Sequence, residues 1–254
     1  MRLLCADIGN SHTVIGLVED GSVVKHWRVA TDERRTGDEW GLMVRGLLAG
    51  RELDGIAVCA TVPPVLHEWR DMLSRRFGAI PAVVVEPGVR TGVPVQMDNP
   101  REVGADRIVN ALAAATLYSG PAIVVDFGTA TTFDVISPAG AYIGGAIAPG
   151  IDISLEALSR RGAQLRRVEL MQPRTVIAKN TVEAIQSGML YGFAAQVDGI
   201  VGRMIAELGI AADEVEVIAT GGLAPLVVEE ATCFTREEPH LTLLGLEMVF
   251  HRNA

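Results

Sequence analysis

The sequence predicts an α/β protein built from two similar halves. Short apolar segments rich in β-formers alternate with segments of helical periodicity along the 254 residues, a pattern typical of α/β layering. The second observation is an internal similarity between residues 4–13, LCADIGNSHT, and residues 124–132, VVDFGTATT. Each is an apolar strand that ends in Asp-x-Gly, followed by small polar residues and a second strand. We therefore predict a duplicated fold divided into residues 1–117 and 118–254.

Composition and charge narrow the classes of partner. The chain is 49% hydrophobic and 21% charged, with a net charge of −9 and no block of like charges. This argues against a nucleic-acid groove or an anionic membrane surface, because both need clustered Lys and Arg. Three widely separated cysteines without a CxxC pair indicate reduced thiols. A Ser-Gly-Pro breaker interrupts the uncharged segment 108–125, so we expect no membrane span and a cytoplasmic protein.

The first half is predicted to contain two strands in a hairpin, two helices around a buried strand, and a final strand and helix. Residues 38–48 place Trp40, Val44 and Leu48 on one helical face. The next helix opens at Pro63-Pro64 and closes at Gly78, the usual proline-first, glycine-last asymmetry. The predicted elements are strands at 3–6, 14–18, 55–62 and 82–85, and helices at 38–48, 63–77 and 108–117.

The second half is predicted to repeat the hairpin and to contain the longest helix. That helix should run from Thr181 to Leu208, with Asn180 and Glu183 as a cap and Gly209 as a stop. The predicted elements are strands at 123–126, 132–136 and 215–219, and helices at 181–208 and 241–251.

The first candidate site is the segment Asp7-Ile8-Gly9-Asn10-Ser11. It places a carboxylate at a strand end, beside a turn in which glycine permits close approach of a ligand. Backbone amides in such a turn can bind phosphate oxygens, and the carboxylate fits there if it holds a hydrated Mg²⁺ that bridges to the phosphates. The structural alternative is a tight hairpin turn with Asp and Asn as turn formers.

The second candidate site is the segment from Asp126 to Thr132, with a second Asp-x-Gly and three threonines in four residues. A threonine-rich hairpin is the alternative. Two such loops in corresponding places favour a pair of phosphate loops. Gly221-Gly222 follows a third strand, where bare backbone would allow a nucleotide to pack closely.

The third candidate site is Gly104-Ala105-Asp106-Arg107, at a predicted helix start that follows an Asn99-Pro100 turn. Asp106 could accept the proton of an attacking hydroxyl, and Arg107 could bind an anionic substrate group. A helix N-terminal Asp with a neighbouring surface Arg is the alternative.

Together these segments resemble the type III pantothenate kinases, and the resemblance covers nearly the whole chain. It extends to Gly144–Gly150, to Lys179–Thr181 and to Ala219–Leu223 in the family's order. It implies two ribonuclease-H-like domains of the actin-like ATPase fold with the nucleotide cleft between them, and a homodimer. The implied cofactors are ATP with Mg²⁺ and K⁺ or NH₄⁺.

The resemblance also implies roles for individual residues. The ATP phosphate loop would comprise Asp7, Ile8, Gly9, Asn10, Ser11, His12, Thr13 and Val14, with Asp7 near Mg²⁺ and Thr129 as a further ATP contact. Pantothenate would be bound by Gly104, Ala105, Asp106, Arg107 and Thr181, with Asp106 as the proton acceptor and Thr181 reaching across the dimer. Asp126 would bind the monovalent cation. Ser11 replaces the family's threonine, and Met97 replaces a common tyrosine beside the substrate.

The implied reaction is in-line transfer of the γ-phosphoryl group of ATP to the primary hydroxyl of pantothenate, the first step of coenzyme A biosynthesis. Two alternatives remain open: a non-catalytic regulatory member of the same family, and another ATPase of the superfamily such as a chaperone or filament protein. The 254 residues leave little room for the insertions or substrate domain that the last alternative requires.

Overall fold

The structure is a computed structural model that describes residues 1–118, 120–161 and 168–254. The strands are β1 (Arg2–Ile8), β2 (His12–Glu19), β3 (Ser22–Ala30), β4 (Gly55–Ala60), β5 (Ala82–Val84), β6 (Ala122–Phe127), β7 (Ala130–Ile136), β8 (Tyr142–Pro149), β9 (Glu216–Thr220) and β10 (Arg236–Glu237). The α-helices are α1 (Gly37–Leu48), α2 (Pro63–Arg76), α3 (Ala105–Leu117), α4 (Ile151–Arg161), α5 (Thr181–Leu208), α6 (Ala224–Val228) and α7 (Leu241–Asn253). Short 3₁₀ helices span Pro100–Glu102 and Ala212–Glu214.

The chain forms two compact units. Unit 1 comprises residues 1–113 and 240–254, and unit 2 comprises residues 114–239. The predicted boundary at residue 117 lies close to the observed one. The predicted assignment of the C-terminal segment differs from the structure, because α7 packs on the sheet of unit 1 rather than belonging to the second half.

Unit 1 is built on a five-stranded sheet in the order β3-β2-β1-β4-β5. The first three strands are antiparallel to one another, whereas β4 and β5 run parallel to β1. The hairpin predicted from residues 3–6 and 14–18 is confirmed. The edge strand β3 has no counterpart in the prediction, because most of its residues are polar or exposed and carry no clear apolar alternation.

Helices cover both faces of this sheet. On one face α1 and α2 bury Trp40 and Trp69, whose ring centroids lie 5.4 Å apart, against residues such as Ile8. Helix α7 packs on the other face against β1 and β4. It lies so close that a Cβ atom at Gly55 would collide with the ring of Phe250. This close packing is the physical reason why the C-terminal helix belongs to unit 1.

Unit 2 repeats the strand order of unit 1. Its sheet has the order β10-β9-β6-β7-β8, with β6 to β8 antiparallel and β9 parallel to β6. Read from β8 to β10, this strand order corresponds to the order of unit 1 from β3 to β5, with β6 in the place of β1. The predicted duplication and the α/β fold class are therefore confirmed. The helix predicted over Thr181–Leu208 is also confirmed, with Asn180 accepting from the backbone of Glu183 at 2.9 Å and Gly209 in the left-handed conformation.

Within the described residues, no helix combines the length and the apolar character needed to cross a membrane. Residues 108–117 lie in α3 and residues 122–125 lie in β6, as predicted, whereas Ser119 of the predicted breaker lies outside the described residues.

Candidate active site

The Asp7 loop joins β1 to β2 in unit 1 and is fixed by hydrogen bonds on both sides. The amide of Gly9 donates to the carbonyl of His12 at 3.1 Å, and a Cβ atom at Gly9 would lie 3.0 Å from that carbonyl. The hydroxyl of Thr31, just after β3, donates to the carbonyl of Gly9 at 2.7 Å and lies 2.9 Å from the hydroxyl of Thr13. The predicted phosphate loop is thus a closed, rigid turn that Thr31 connects to the next strand.

The Asp7 carboxyl lies at the end of β1, paired in register with Val14 on β2 and Cys59 on β4. The Cys59 thiol donates to Oδ1 of Asp7 at 3.3 Å. Burial, followed by the negative charge of Asp106, raises the pKa of Asp7 to about 7. A carboxyl in this environment holds its proton more tightly than usual, and a cation beside it would restore the charged form.

Asp106 is the second residue of α3, and the turn before it brings its carboxyl into unit 1 beside Asp7. A Cβ atom at Gly104 would collide with Oδ1 of Asp106, so a glycine is required before the helix. Burial raises the pKa of Asp106, against the opposing effects of the backbone amide and charge of Arg107. Oδ1 is enclosed and, in the part of the chain that the structure describes, has no hydrogen-bond partner.

The two carboxyls come from positions about one hundred residues apart in sequence. The fold brings them close enough for the charge of Asp106 to raise the pKa of Asp7. A buried carboxyl whose ionisation is opposed by a second carboxyl is a common feature of functional sites, because the arrangement is unfavourable without a ligand or a cation. Among the predicted site residues from different segments of unit 1, Asp7 and Asp106 are close enough to interact electrostatically.

The Asp126 loop in unit 2 occupies the matching position between β6 and β7. Asp126 pairs with Thr132 on β7 and with Thr220 on β9. Gly221 has φ of +93°. A Cβ atom there would lie 2.5 Å from Oδ1 of Asp126 and 2.7 Å from the backbone of Phe127. The Gly-Gly turn after β9 therefore packs its bare backbone directly against this carboxylate.

Gly150 packs closely against the backbone of the Asp126 loop. Gly150 follows β8, and its amide donates to the carbonyl of Thr129 at 3.1 Å. A Cβ atom at Gly150 would lie 2.6 Å from the carbonyl of Gly128. This contact explains why a glycine follows the Gly144–Pro149 segment.

Two further predicted residues, Met97 and Thr181, belong to other elements of the chain. Met97 is half-buried in the connection before α3, in unit 1. Thr181 is the exposed first residue of α5, in unit 2 and on a different element from the Asp126 loop. Sequence reasoning missed Thr31 and Cys59, because their contacts with the Asp7 loop depend on strand register. The available signal was that each has a small polar side chain at or just after the end of a strand.

The donor set fits a magnesium ion carried by a nucleotide. Among the described residues, no group of three or more His, Cys, Asp and Glu side chains converges as a metal site would require. Mg²⁺ is usually held by one or two carboxylates together with substrate phosphates and water. Asp7, at the end of β1 beside the turn that Gly9 and His12 close, offers this kind of partial coordination.

The duplicated sheet and the paired Asp-x-Gly loops define an actin-like ATPase or sugar-kinase fold. Among solved structures, the chain is similar to an inorganic polyphosphate/ATP-glucomannokinase from Arthrobacter, with a TM-score of 0.52, 15% identity and 98% of each chain covered. It is similar to a ROK hexokinase from Thermus thermophilus, with a TM-score of 0.51, 13% identity and 98% of each chain covered. These likenesses concern the fold.

Sequence comparison gives the family. The family model described as type III pantothenate kinase matches residues 3–203. A type III pantothenate kinase from Nocardioides is 70% identical, with 100% of each chain covered. One from Thermobifida fusca is 62% identical, with 99% of this chain and 100% of the relative covered. The chain belongs to the type III pantothenate kinase family.

Proposed function

We propose that this chain transfers the γ-phosphoryl group of ATP to the primary hydroxyl of pantothenate, giving 4′-phosphopantothenate and ADP. Membership of the family over the whole chain supports the substrate and the reaction class. The structural observation that carries the proposal is the meeting of Asp7 and Asp106 in unit 1. One carboxyl lies near the end of a strand beside a tight turn, and the other lies at the start of a helix with an enclosed oxygen that has no hydrogen-bond partner among the described residues.

The Asp7 loop, from Asp7 to Val14, is the proposed phosphate-binding element. Its backbone is held rigid by the Gly9–His12 and Thr31 contacts, so its amides and its Asn and Ser side chains are arranged before a ligand arrives. Asp7 would hold the Mg²⁺ that accompanies ATP, and Thr129 would contact the nucleotide from the second loop. When bound, Mg²⁺ neutralises charge that develops on the phosphate oxygens.

Asp106 is the proposed proton acceptor. Its Oδ1 lacks a hydrogen-bond partner within the described residues although it is enclosed. Buried polar atoms are nearly always satisfied, so an oxygen of this kind is suited to a donor supplied by the substrate. The hydroxyl of pantothenate would donate to it and transfer its proton as the phosphoryl group is captured. Because the transition state is loose, the hydroxyl proton can leave late and Asp106 need not be a strong base to accept it.

The substrate's carboxylate and amide groups are assigned to the same end of α3. Gly104, Ala105 and Arg107 surround Asp106 in sequence, and Arg107 provides a cation for the pantothenate carboxylate. Met97 lies in the preceding connection and offers an apolar contact rather than a hydrogen bond. The proposal places the reaction in the cytoplasm, where ATP is available.

A homodimer and a monovalent cation complete the proposal. Thr181 begins α5 beside exposed apolar side chains: Ile177 is 85% exposed and Val182 is 50% exposed. Such exposed apolar surface favours an interface, so a second copy would cover it and bring Thr181 to pantothenate. Asp126, packed against the Gly221 turn, would bind K⁺ or NH₄⁺. Light scattering tests the dimer, and a monomer at assay concentration would contradict it.

The function is tested by ADP release with a panel of hydroxy acids and sugars, each with K⁺ or with Na⁺. We expect turnover with pantothenate only, and faster turnover with K⁺. ATP hydrolysis without an acceptor would indicate a simple ATPase. Binding of ATP and pantothenate without turnover would support the regulatory alternative, which the kinase names of the curated relatives do not favour.

A further inference from the structure

We propose that Arg28 is a further nucleotide-binding residue, and that its guanidinium group, fixed by His12, binds the phosphates of ATP at the Asp7 loop. The inference rests on the proposed function only in that it takes the Asp7 loop as the phosphate site. Arg28 lies on β3, an edge strand that the sequence pattern does not reveal.

The strand register places Arg28 on the same face of the sheet as Asp7. Arg28 pairs with Val14 on β2, and Val14 pairs with Asp7 on β1. Residues directly opposite on neighbouring strands project from the same face. Their neighbours Trp27 and Val29 project from the opposite face, where they pack against the core beneath α1 and α2.

The distance is suitable for a shared ligand. Arg28 and Asp7 are separated by one strand, so their backbones lie about 10 Å apart across the sheet. An arginine side chain and a triphosphate chain together span such a separation. The phosphates would therefore lie between the Arg28 guanidinium and a magnesium ion at Asp7.

A direct contact ties Arg28 to the loop. Its Nη2 lies 2.9 Å from Nδ1 of His12, the residue that closes the Asp7 turn. A guanidinium group only donates hydrogen bonds, so Nδ1 of His12 is the acceptor in this contact. The contact orients the guanidinium without cancelling its positive charge.

The positive charge of Arg28 is not balanced by a carboxylate within the described residues. Within the described residues, the arginines that form ion pairs with carboxylates are Arg2, Arg70, Arg75, Arg76, Arg160, Arg174 and Arg236. Arg28 forms no such pair there. In a protein with a net charge of −9, an uncompensated cation beside a phosphate loop has a clear role, because phosphate groups are bound by planar, forked guanidinium donors.

The test compares Arg28→Gln and Arg28→Lys with a matched control, Lys25→Gln. Lys25 lies on the same strand, but its ammonium group stacks over Trp27 at 5.3 Å on the opposite face. Binding of Mg·ATP is measured by calorimetry without pantothenate, alongside melting temperatures with and without Mg·ATP. The loss of a charge-assisted hydrogen bond in R28Q should weaken ATP binding about 10- to 100-fold.

We further expect R28K to be intermediate, the KM for pantothenate to stay near the wild-type value, and K25Q to match wild type throughout. An R28Q protein that binds Mg·ATP within twofold of wild type would overturn the assignment of Arg28 and leave the proposed kinase activity intact. Wild-type protein that binds Mg·ATP but fails to phosphorylate pantothenate would overturn the proposed function instead. Equal loss of ATP affinity in R28Q and K25Q would also contradict the proposal, because it would indicate a nonspecific charge effect.

Discussion

Asp7 and Asp126 occupy the same position in two copies of one topology, yet their surroundings differ. Asp7 is paired in register with Cys59 and faces a second carboxyl, Asp106. Asp126 is paired with Thr220 and packs against the bare backbone of Gly221. The first arrangement concentrates negative charge and requires cations, whereas the second provides close backbone approach. The duplicated fold thus supplies two loops in corresponding positions, and the residues around each loop decide its chemistry.

The largest expected change is in the kcat of a variant that alters the carboxyl pair of unit 1, Asp7 and Asp106. Asp106→Asn should lower kcat by about 100-fold or more, because the variant cannot accept the hydroxyl proton. The affinity for Mg·ATP should stay within about twofold of wild type. The counterpart Asp126→Asn in unit 2 should mainly change the response to K⁺. Steady-state kinetics and calorimetry on both variants check this, and near-normal turnover by Asp106→Asn would remove that residue from its proposed role.

The second prediction concerns the pH dependence of stability in the absence of Mg²⁺ and nucleotide. The pKa of Asp7 rises from 3.8 when unfolded to about 7 in the folded state, so the folded protein binds this proton more tightly. The free energy of unfolding should therefore fall as the pH rises from about 4 to about 7. The effect is at most about 4 kcal/mol, because each pKa unit corresponds to about 1.4 kcal/mol.

Asp7→Asn is the control for this pH effect, since it removes the titrating group and should flatten the slope. Urea denaturation at pH 5 and pH 7 measures both proteins. An identical pH slope in wild type and Asp7→Asn would show that Asp7 does not carry the raised pKa.

The third prediction uses a matched pair of threonines, one from each unit. Thr13 and Thr131 are both fully buried and sit opposite the last residue of β1 and of β6. The Thr13 hydroxyl lies 2.9 Å from that of Thr31, whereas the Thr131 hydroxyl has no partner within the described residues. Thr13→Val should cost about 1 kcal/mol of unfolding free energy, and Thr131→Val should be close to neutral. Equal losses would contradict the difference between the loops.

The smallest expected effect concerns the thiol beside Asp7. Cys59→Ala removes the donor to Oδ1 and should raise the KM for Mg·ATP several-fold, since one hydrogen bond is worth about 1 kcal/mol. Cys59→Ser should restore much of the loss. Cys5→Ala, two residues before Asp7 on the same face of β1, is the control and should leave the KM unchanged. An unchanged KM in Cys59→Ala would show that the thiol does not position Asp7.

The sequence predicts both hairpins and the long helix because their signals are local. The Asp-x-Gly turns lie between apolar runs, and Asn180 and Gly209 mark the ends of α5. The edge strands β3 and β8 escape prediction since β3 is largely exposed and polar and β8 contains Gly144-Gly145. The packing of α7 on unit 1 also escapes it, because the contact between Phe250 and Gly55 joins residues almost two hundred positions apart.

In the candidate site, too, the features with local sequence signals were predicted and those that depend on long-range contacts were not. Its loops can be recognised from their own residues, which is why Asp7, Asp106 and Asp126 are predicted. The residues that contact the first loop come from elsewhere in the sheet: Cys59 lies on β4, Arg28 on β3 and Thr31 just after β3. Their roles follow from register, and register is a property of the folded sheet.

The most direct test of the central claim is the identity and amount of the product. Wild-type protein is incubated with ATP, Mg²⁺, K⁺ and pantothenate, and the reaction is followed by phosphorus-31 NMR. We predict one equivalent of ADP for each equivalent of a new phosphomonoester on the primary hydroxyl of pantothenate. ADP with free inorganic phosphate, or a phosphomonoester on the secondary hydroxyl, would contradict the proposal that Asp106 directs the primary hydroxyl to the γ-phosphate.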